Sequence, residues 1–274
     1  MNGGFARHSR GFTIVEVMIV LAVSMSLFIG AVALINGKQD VAAFNQSVGA
    51  VKTELQQYIN QVGSGYYPND GTVKCKASGS GGVPSLTTVP ASDNQGASED
   101  CLFLGKVIQF GVPGSAGSTS EYYNVYTLVG LRSNTSLSNA RIIAQASNES
   151  SVPNGPFEAK MLQYGLSVSR QYYSTHPGSV ASIGFITNLS SLGAGDGSQR
   201  TDVIAIPGTT LGNDEPNGAK DINDNLGGAT VNPAVGVGIC FNSGGTQQSA
   251  LITLGGTGRQ GSIDTKIFSG PNCT

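Results

Sequence analysis

Charge is scarce in this chain. Asp, Glu, Lys and Arg make up 12% of its 274 residues, about half of the roughly 25% usual in soluble globular domains. The 15 Lys and Arg are scattered without a run, and the net charge is −2. A nucleic-acid binder carries a basic patch or stripe, so no nucleic-acid partner is expected. Histidine occurs only at His8 and His176, and none of the four cysteines stands in a CxxC pair. That excludes metal sites of the zinc-finger kind. No serine or cysteine nucleophile can be placed beside a histidine and a carboxylate, and no pair of catalytic carboxylates suggests itself. The chain is therefore read as having no catalytic residues and no enzymatic activity. What it has in excess is glycine, 39 residues of it, with much Ser, Thr and Asn. That mixture favours many short strands joined by turns. The length suffices to bury a real core in one large or two small domains.

A long apolar run lies near the N-terminus. Residues 1–11 hold Arg7, His8 and Arg10 and no acidic residue, and positions 17–37 carry no charge at all. As a helix rising about 1.5 Å per residue, that run spans roughly the 30 Å hydrocarbon core of a bilayer. Basic residues precede it and none cluster after it, which puts the N-terminus in the cytoplasm and the rest outside. A secretory signal, with a small-residue site at Ala31-Val32-Ala33, or a plain anchor would account for this much. Neither has a use for Glu16 at the start of the apolar run. An isolated carboxylate in a membrane costs about 2.5–3.5 kcal/mol at mid-helix on insertion scales, so it needs a partner or a function.

The segment Arg10-Gly11-Phe12-Thr13-Ile14-Val15-Glu16-Val17-Met18 resembles the leader signal of type IV prepilins and pseudopilins. The shared pattern is a basic residue, then G-F-T-x-x-E ahead of an apolar stretch. The resemblance covers about a tenth of the chain and implies a set of roles. A membrane-embedded prepilin peptidase would cut between Gly11 and Phe12 and N-methylate the new terminus at Phe12. Glu16 would neutralise the positive amine of an adjacent subunit as the helices bundle. Such a buried ion pair is poor evidence for stability but well suited to fixing register. The partners implied are other pilin subunits, the peptidase, an inner-membrane platform protein and an assembly ATPase. Many major pilins carry a proline at the position of Ala33; this chain does not.

After Lys38, apolar or aromatic residues recur at Val41, Phe44, Val48, Val51, Leu55, Tyr58 and Val62, the alternating three- and four-residue steps of one helical stripe. Gly63 and the following Ser64-Gly65 read as the stop. Residues 12–62 are thus expected to form one helix on the order of 75 Å long. Its first half would lie in lipid or against other subunits, and its second half would offer one stripe to a sheet.

From residue 63 to residue 100 the chain is Gly, Ser, Pro and Asn with little periodicity, read as an extended surface connection. Strands are expected over 102–110, 122–131, 166–173, 181–189, 202–207, 235–242, 249–254 and 262–268, the last three as an antiparallel meander. The fold class is then α+β and pilin-like: a long N-terminal helix packed on an antiparallel β-rich head, enlarged beyond a minimal four-stranded one. The expected divisions are a cleaved leader (1–11), a transmembrane assembly segment (12–37), an amphipathic segment (38–62) and the extracellular head (63–274).

An even count of widely spaced cysteines in an exported chain reads as two disulfides. Neighbour pairing would join Cys75 to Cys101 and Cys240 to Cys273, each worth about 3–4 kcal/mol; two other pairings are open to four cysteines. In pilins a disulfide often ties down the C-terminal region, and Cys240–Cys273 resembles that. No cofactor is expected beyond one weak candidate, calcium. Asp221, Asn223 and Asn225 alternate like the start of a calcium loop, but the glycine falls one position late for the EF-hand and no glutamate closes it. Gly256-Thr257-Gly258-Arg259-Gln260-Gly261 matches GxGxxG but precedes a strand-like run, so it reads as a hairpin turn. The doublets Tyr66-Tyr67, Tyr122-Tyr123 and Tyr172-Tyr173 are read as packing residues before contact residues, and His176, before Pro177, as a loop residue. The function that fits is a filament subunit waiting in the cytoplasmic membrane, a minor pilin or pseudopilin. The alternative from another class is a membrane-tethered adhesin or binding protein with a pilin-like leader.

Overall fold

The computed structural model describes residues 12–65, 73–77, 84–88, 101–110, 121–131, 140–143, 158–173, 176–188, 200–207, 226, 236–244, 247–255 and 261–273. The chain divides into two units, Met1–Ala43 and Phe44–Thr274. Helix α1 (Ile14–Gly63) contributes to both. In the first unit, Ile14–Val32 is a helical stretch of mean hydropathy 2.4 with none of it buried. Every described side chain from Phe12 to Val32 is exposed, and the stretch is long and apolar enough to fit a membrane anchor.

In the second unit the amphipathic stripe does what its spacing implies. Phe44, Val48, Val51, Leu55, Tyr58 and Val62 are buried in one core, joined by Ile59, which lies one step off the stripe. Fully burying a side chain of this size contributes about 1.5–3 kcal/mol, so this half of α1 is held by packing. Its end is capped by backbone and side chains together. Ser64 N–H donates to Asn60 O (2.9 Å), Gly65 N–H to Val62 O (3.1 Å), and Thr187 Oγ1 to Val62 O (3.2 Å). The left-handed residue of the stop is Gly65 (φ 68°).

The sheet is built from β3 (Cys101–Phe110), β4 (Tyr122–Leu131), β5 (Arg141–Ile143), β6 (Glu158–Met161), β7 (Leu166–Tyr173), β8 (His176–Asn188), β9 (Arg200–Pro207), β10 (Val237–Ser243), β11 (Ser249–Leu254) and β12 (Ile263–Phe268). Its order is β12-β11-β10-β7-β8-β3-β4-β5, with β6 also on β4 and β9 also on β8. Every pairing is antiparallel. A separate hairpin joins β1 (Val73–Ala77) to β2 (Pro84–Thr88). Strand β8 is the fork of the sheet. Its first residues pair with β7, and beyond them Val180–Asn188 pairs with β9 while 182–186 pairs on its other side with β3.

The ten-stranded sheet is covered on both faces. One carries the core shared with α1. The other buries a second cluster that includes Leu104, Val107, Leu128, Ile186, Ile204 and Leu226. Strand β4 is accordingly buried from Tyr123 to Leu131 without alternation, as expected of a strand with no wet face. Close approach of β3 to β8 needs a residue without a side chain at the bulge between Phe103 and Gly105. A Cβ at Gly105, where φ is 157°, would fall 1.9 Å from the carbonyl oxygen of Phe185.

The α+β, pilin-like class expected from the sequence is the one observed. Three readings are corrected. Part of 63–100, read as a connection, forms the β1–β2 hairpin: Val73-Lys74-Cys75-Lys76-Ala77 alternates, but strands of five residues set among Gly, Ser and Pro are too brief to stand out. β5 and β6 were not expected, because at three and four residues they are too short to show a period. His176 is not in a loop: it opens β8 opposite Tyr173, with Pro177 tolerated near a strand start.

Candidate functional site: the start of helix 1

The residues that carry the leader resemblance sit where α1 begins. Gly11 lies outside the described residues. Phe12 precedes the helix and is 79% exposed. Thr13 is the N-cap: its Oγ1 accepts the Glu16 N–H (3.3 Å), and its carbonyl accepts the Val17 N–H (3.2 Å), the first hydrogen bond of the helical ladder. A side-chain oxygen satisfying the N3 amide is the standard N-cap geometry. Glu16 lies in the first turn, exposed, where a carboxylate also meets the positive end of the helix dipole. It is the only charged residue between Arg10 and Lys38. The sequence reading had Thr13 in the motif but did not read it as the cap of α1. Its signal was present, since Thr13-Ile14-Val15-Glu16 is the S/T-x-x-E pattern of a capping box ahead of an apolar run.

In the head, Cys240 of β10 and Cys273 form a disulfide. It reaches from beyond the edge strand β12, past β11, to the third strand inward. Cys75 is in β1 and Cys101 opens β3; the side chains of both lie outside the described set, as do all of Asp221, Asn223 and Asn225. Among the described residues no group of His, Cys, Asp or Glu is placed to hold a metal ion. Of the GxGxxG stretch only Gly261 is described; the rest, read as a hairpin turn, lies outside the described residues, between β11 and β12, which pair antiparallel.

The charged chemistry of the head serves packing. Glu54 on α1 accepts a hydrogen bond from Tyr123 Oη and pairs with Lys160 Nζ of β6 at 3.0 Å. Lys160 and Lys106 both lie against the Tyr58 ring, at 5.5 and 4.9 Å from its centroid. About two helical turns before Glu54, Ser47 Oγ donates to Gln163 O (2.7 Å). The segment from β6 to Gln163 thus straps α1 to the sheet at two levels. Of the tyrosine doublets, Tyr123 and Tyr173 are buried, Tyr123 against Phe110 (centroids 5.4 Å apart); Tyr66 and Tyr67 lie outside the described residues.

Residues 6–32 match the family model of the prokaryotic N-terminal methylation motif. No curated protein and no solved structure matches the chain.

Proposed function

We propose, for a chain whose N-terminus carries the signature of type IV pilins and pseudopilins, that the protein is a minor pilin or pseudopilin. It would be a structural subunit of a type IV pilus-like or type II secretion filament. The observation that carries the reading is the methylation motif at 6–32 running directly into an exposed apolar helix, Ile14–Val32. Proteins with this motif are structural rather than catalytic, and we read this chain the same way.

In this reading the precursor sits in the cytoplasmic membrane with its N-terminus inside and its head outside, fitting the length of the apolar helix. Prepilin peptidase removes residues 1–11 and methylates the amine of Phe12. Glu16 then meets the positive N-terminus of a neighbouring subunit. In hydrocarbon a lone carboxylate and a lone ammonium are each costly, so the pair forms only in matched register. A platform protein and an ATPase supply the lift into the filament. The size of the head favours a minor subunit or pseudopilin over a small major pilin.

N-terminal sequencing and intact mass of the membrane-extracted protein test the reading. The expected product begins with N-methylphenylalanine at Phe12. A start at Leu34, or a chain retaining Met1, overturns it. Recovery with sheared filaments separates a subunit from a tethered adhesin, which would stay with the membrane.

A further inference from the structure

Strand β12 ends the sheet. It pairs with β11 on one side and, among the described residues, with no strand on the other. In an antiparallel ladder the backbone groups of successive residues point alternately toward the partner strand and away from it. Gly255 N–H donates to Ser262 O (2.8 Å), so Ser262, Asp264, Lys266 and Phe268 turn their backbone groups to β11. Those of Ile263, Thr265 and Ile267 point away from it. The outward Thr265 N–H is held by the carboxylate of Asp264 (Oδ1, 2.9 Å). Asp264 and Lys266 are exposed, as is Ile267 at 46%. An open edge bearing an exposed isoleucine is a template for another strand.

We propose that this edge is an interface between two copies of the chain, which pair β12 to β12 antiparallel about a two-fold axis at Thr265. The proposal goes beyond the pilin reading and does not depend on it. Its ground is that Ile263-Asp264-Thr265-Lys266-Ile267 is its own complement in that register. Asp264 of each copy stands opposite Lys266 of the other, Ile263 opposite Ile267, and Thr265 opposite itself. The outward-pointing residues meet only one another, so backbone donors and acceptors match along with the charges. The exposed Ile267 is covered by the other copy's Ile263. No neighbouring register does this. Sliding one copy by two residues either way sets Asp264 opposite Asp264 or Lys266 opposite Lys266. Sliding it by one sets outward residues against inward ones. On pairing, the Asp264 carboxylate exchanges the Thr265 N–H for the opposing Lys266 ammonium. The Thr265 N–H then donates to the Thr265 carbonyl across the axis. The interface is isologous and closed, so it stops at a dimer.

The test is sedimentation of the full-length chain in detergent micelles over a range of concentrations, with circular dichroism to confirm folding of each variant. The wild type is expected to reach a dimer. Asp264→Lys and Lys266→Asp each set like charges opposite one another on both sides of the axis. Each is expected to weaken the dimer about tenfold, attractive cross-strand pairs having become repulsive. Asp264→Lys combined with Lys266→Asp restores opposite charges across the axis and is expected to dimerise as the wild type does. A wild type that stays monomeric overturns the proposal, and Asp264 then only shields the edge. A dimer unmoved by either single reversal overturns it as well, because association would run through another surface, α1 included. So does a combined variant no tighter than the single ones.

Discussion

Glu16 illustrates how much a single side chain can decide. Its carboxylate lies on an exposed apolar helix, and a cost of about 2.5–3.5 kcal/mol at mid-membrane is tolerated only in exchange for a partner. Replacing it with Gln removes both the cost and the attraction to a neighbour's amine. Glu16→Gln is therefore expected to insert into the membrane normally and to disappear from the sheared-filament fraction, as read by immunoblot of the two fractions. Residues of this kind were legible in the sequence because the motif is local: basic residue, Gly11, Phe12 and Glu16 fall within seven positions. Thr13 was read as the T of the G-F-T-x-x-E pattern but not as the cap of α1, because that role lies in the backbone it caps.

Among the elements, α1 was the most readable. Its stripe repeats over several turns, and the observed helix, Ile14–Gly63, differs from the expected 12–62 only at its ends. Strands β4 and β7 were read at their full observed lengths, as runs of eight to ten residues containing Tyr, Val and Leu. β8 was not: its opening residues His176-Pro177-Gly178-Ser179 look like a turn, and only pairing with β7 makes them strand. Burial on both faces also hid which side of β4 meets the helix, since no alternation marks it. The bulge in β3 offers a sharp check on the close approach of β3 to β8. Gly105→Ala would drive a methyl group into the Phe185 carbonyl, backbone that cannot swing aside. The expected loss is about 3 kcal/mol or more of head stability, measured by urea unfolding followed by circular dichroism.

At the scale of the whole molecule, the sequence reading expected a head enlarged beyond four strands, and its described residues form ten strands in one sheet plus a hairpin. Strand order was not legible, because partners such as β7 and β10 are separated by more than 60 residues and nothing local names the mate. The Cys240–Cys273 bond holds the β10–β11–β12 edge together across a sequence separation of 33. Cys273→Ser is expected to cost about 3–4 kcal/mol by the chain-entropy estimate, seen as a lower denaturation midpoint with a steeper slope, because the unfolded chain without the cross-link exposes more surface.

The fork at β8 has a consequence for cooperativity. One strand serves β7 at its start and both β3 and β9 farther on, so the two wings of the sheet are joined through β8 itself. The wings should therefore rise and fall together as a single unfolding unit. In native-state hydrogen exchange, the amides of residues 182–186 are expected to open only with the entire head, on a par with the slowest in β10. A head built this way has no half-open form to offer proteases or stray strands.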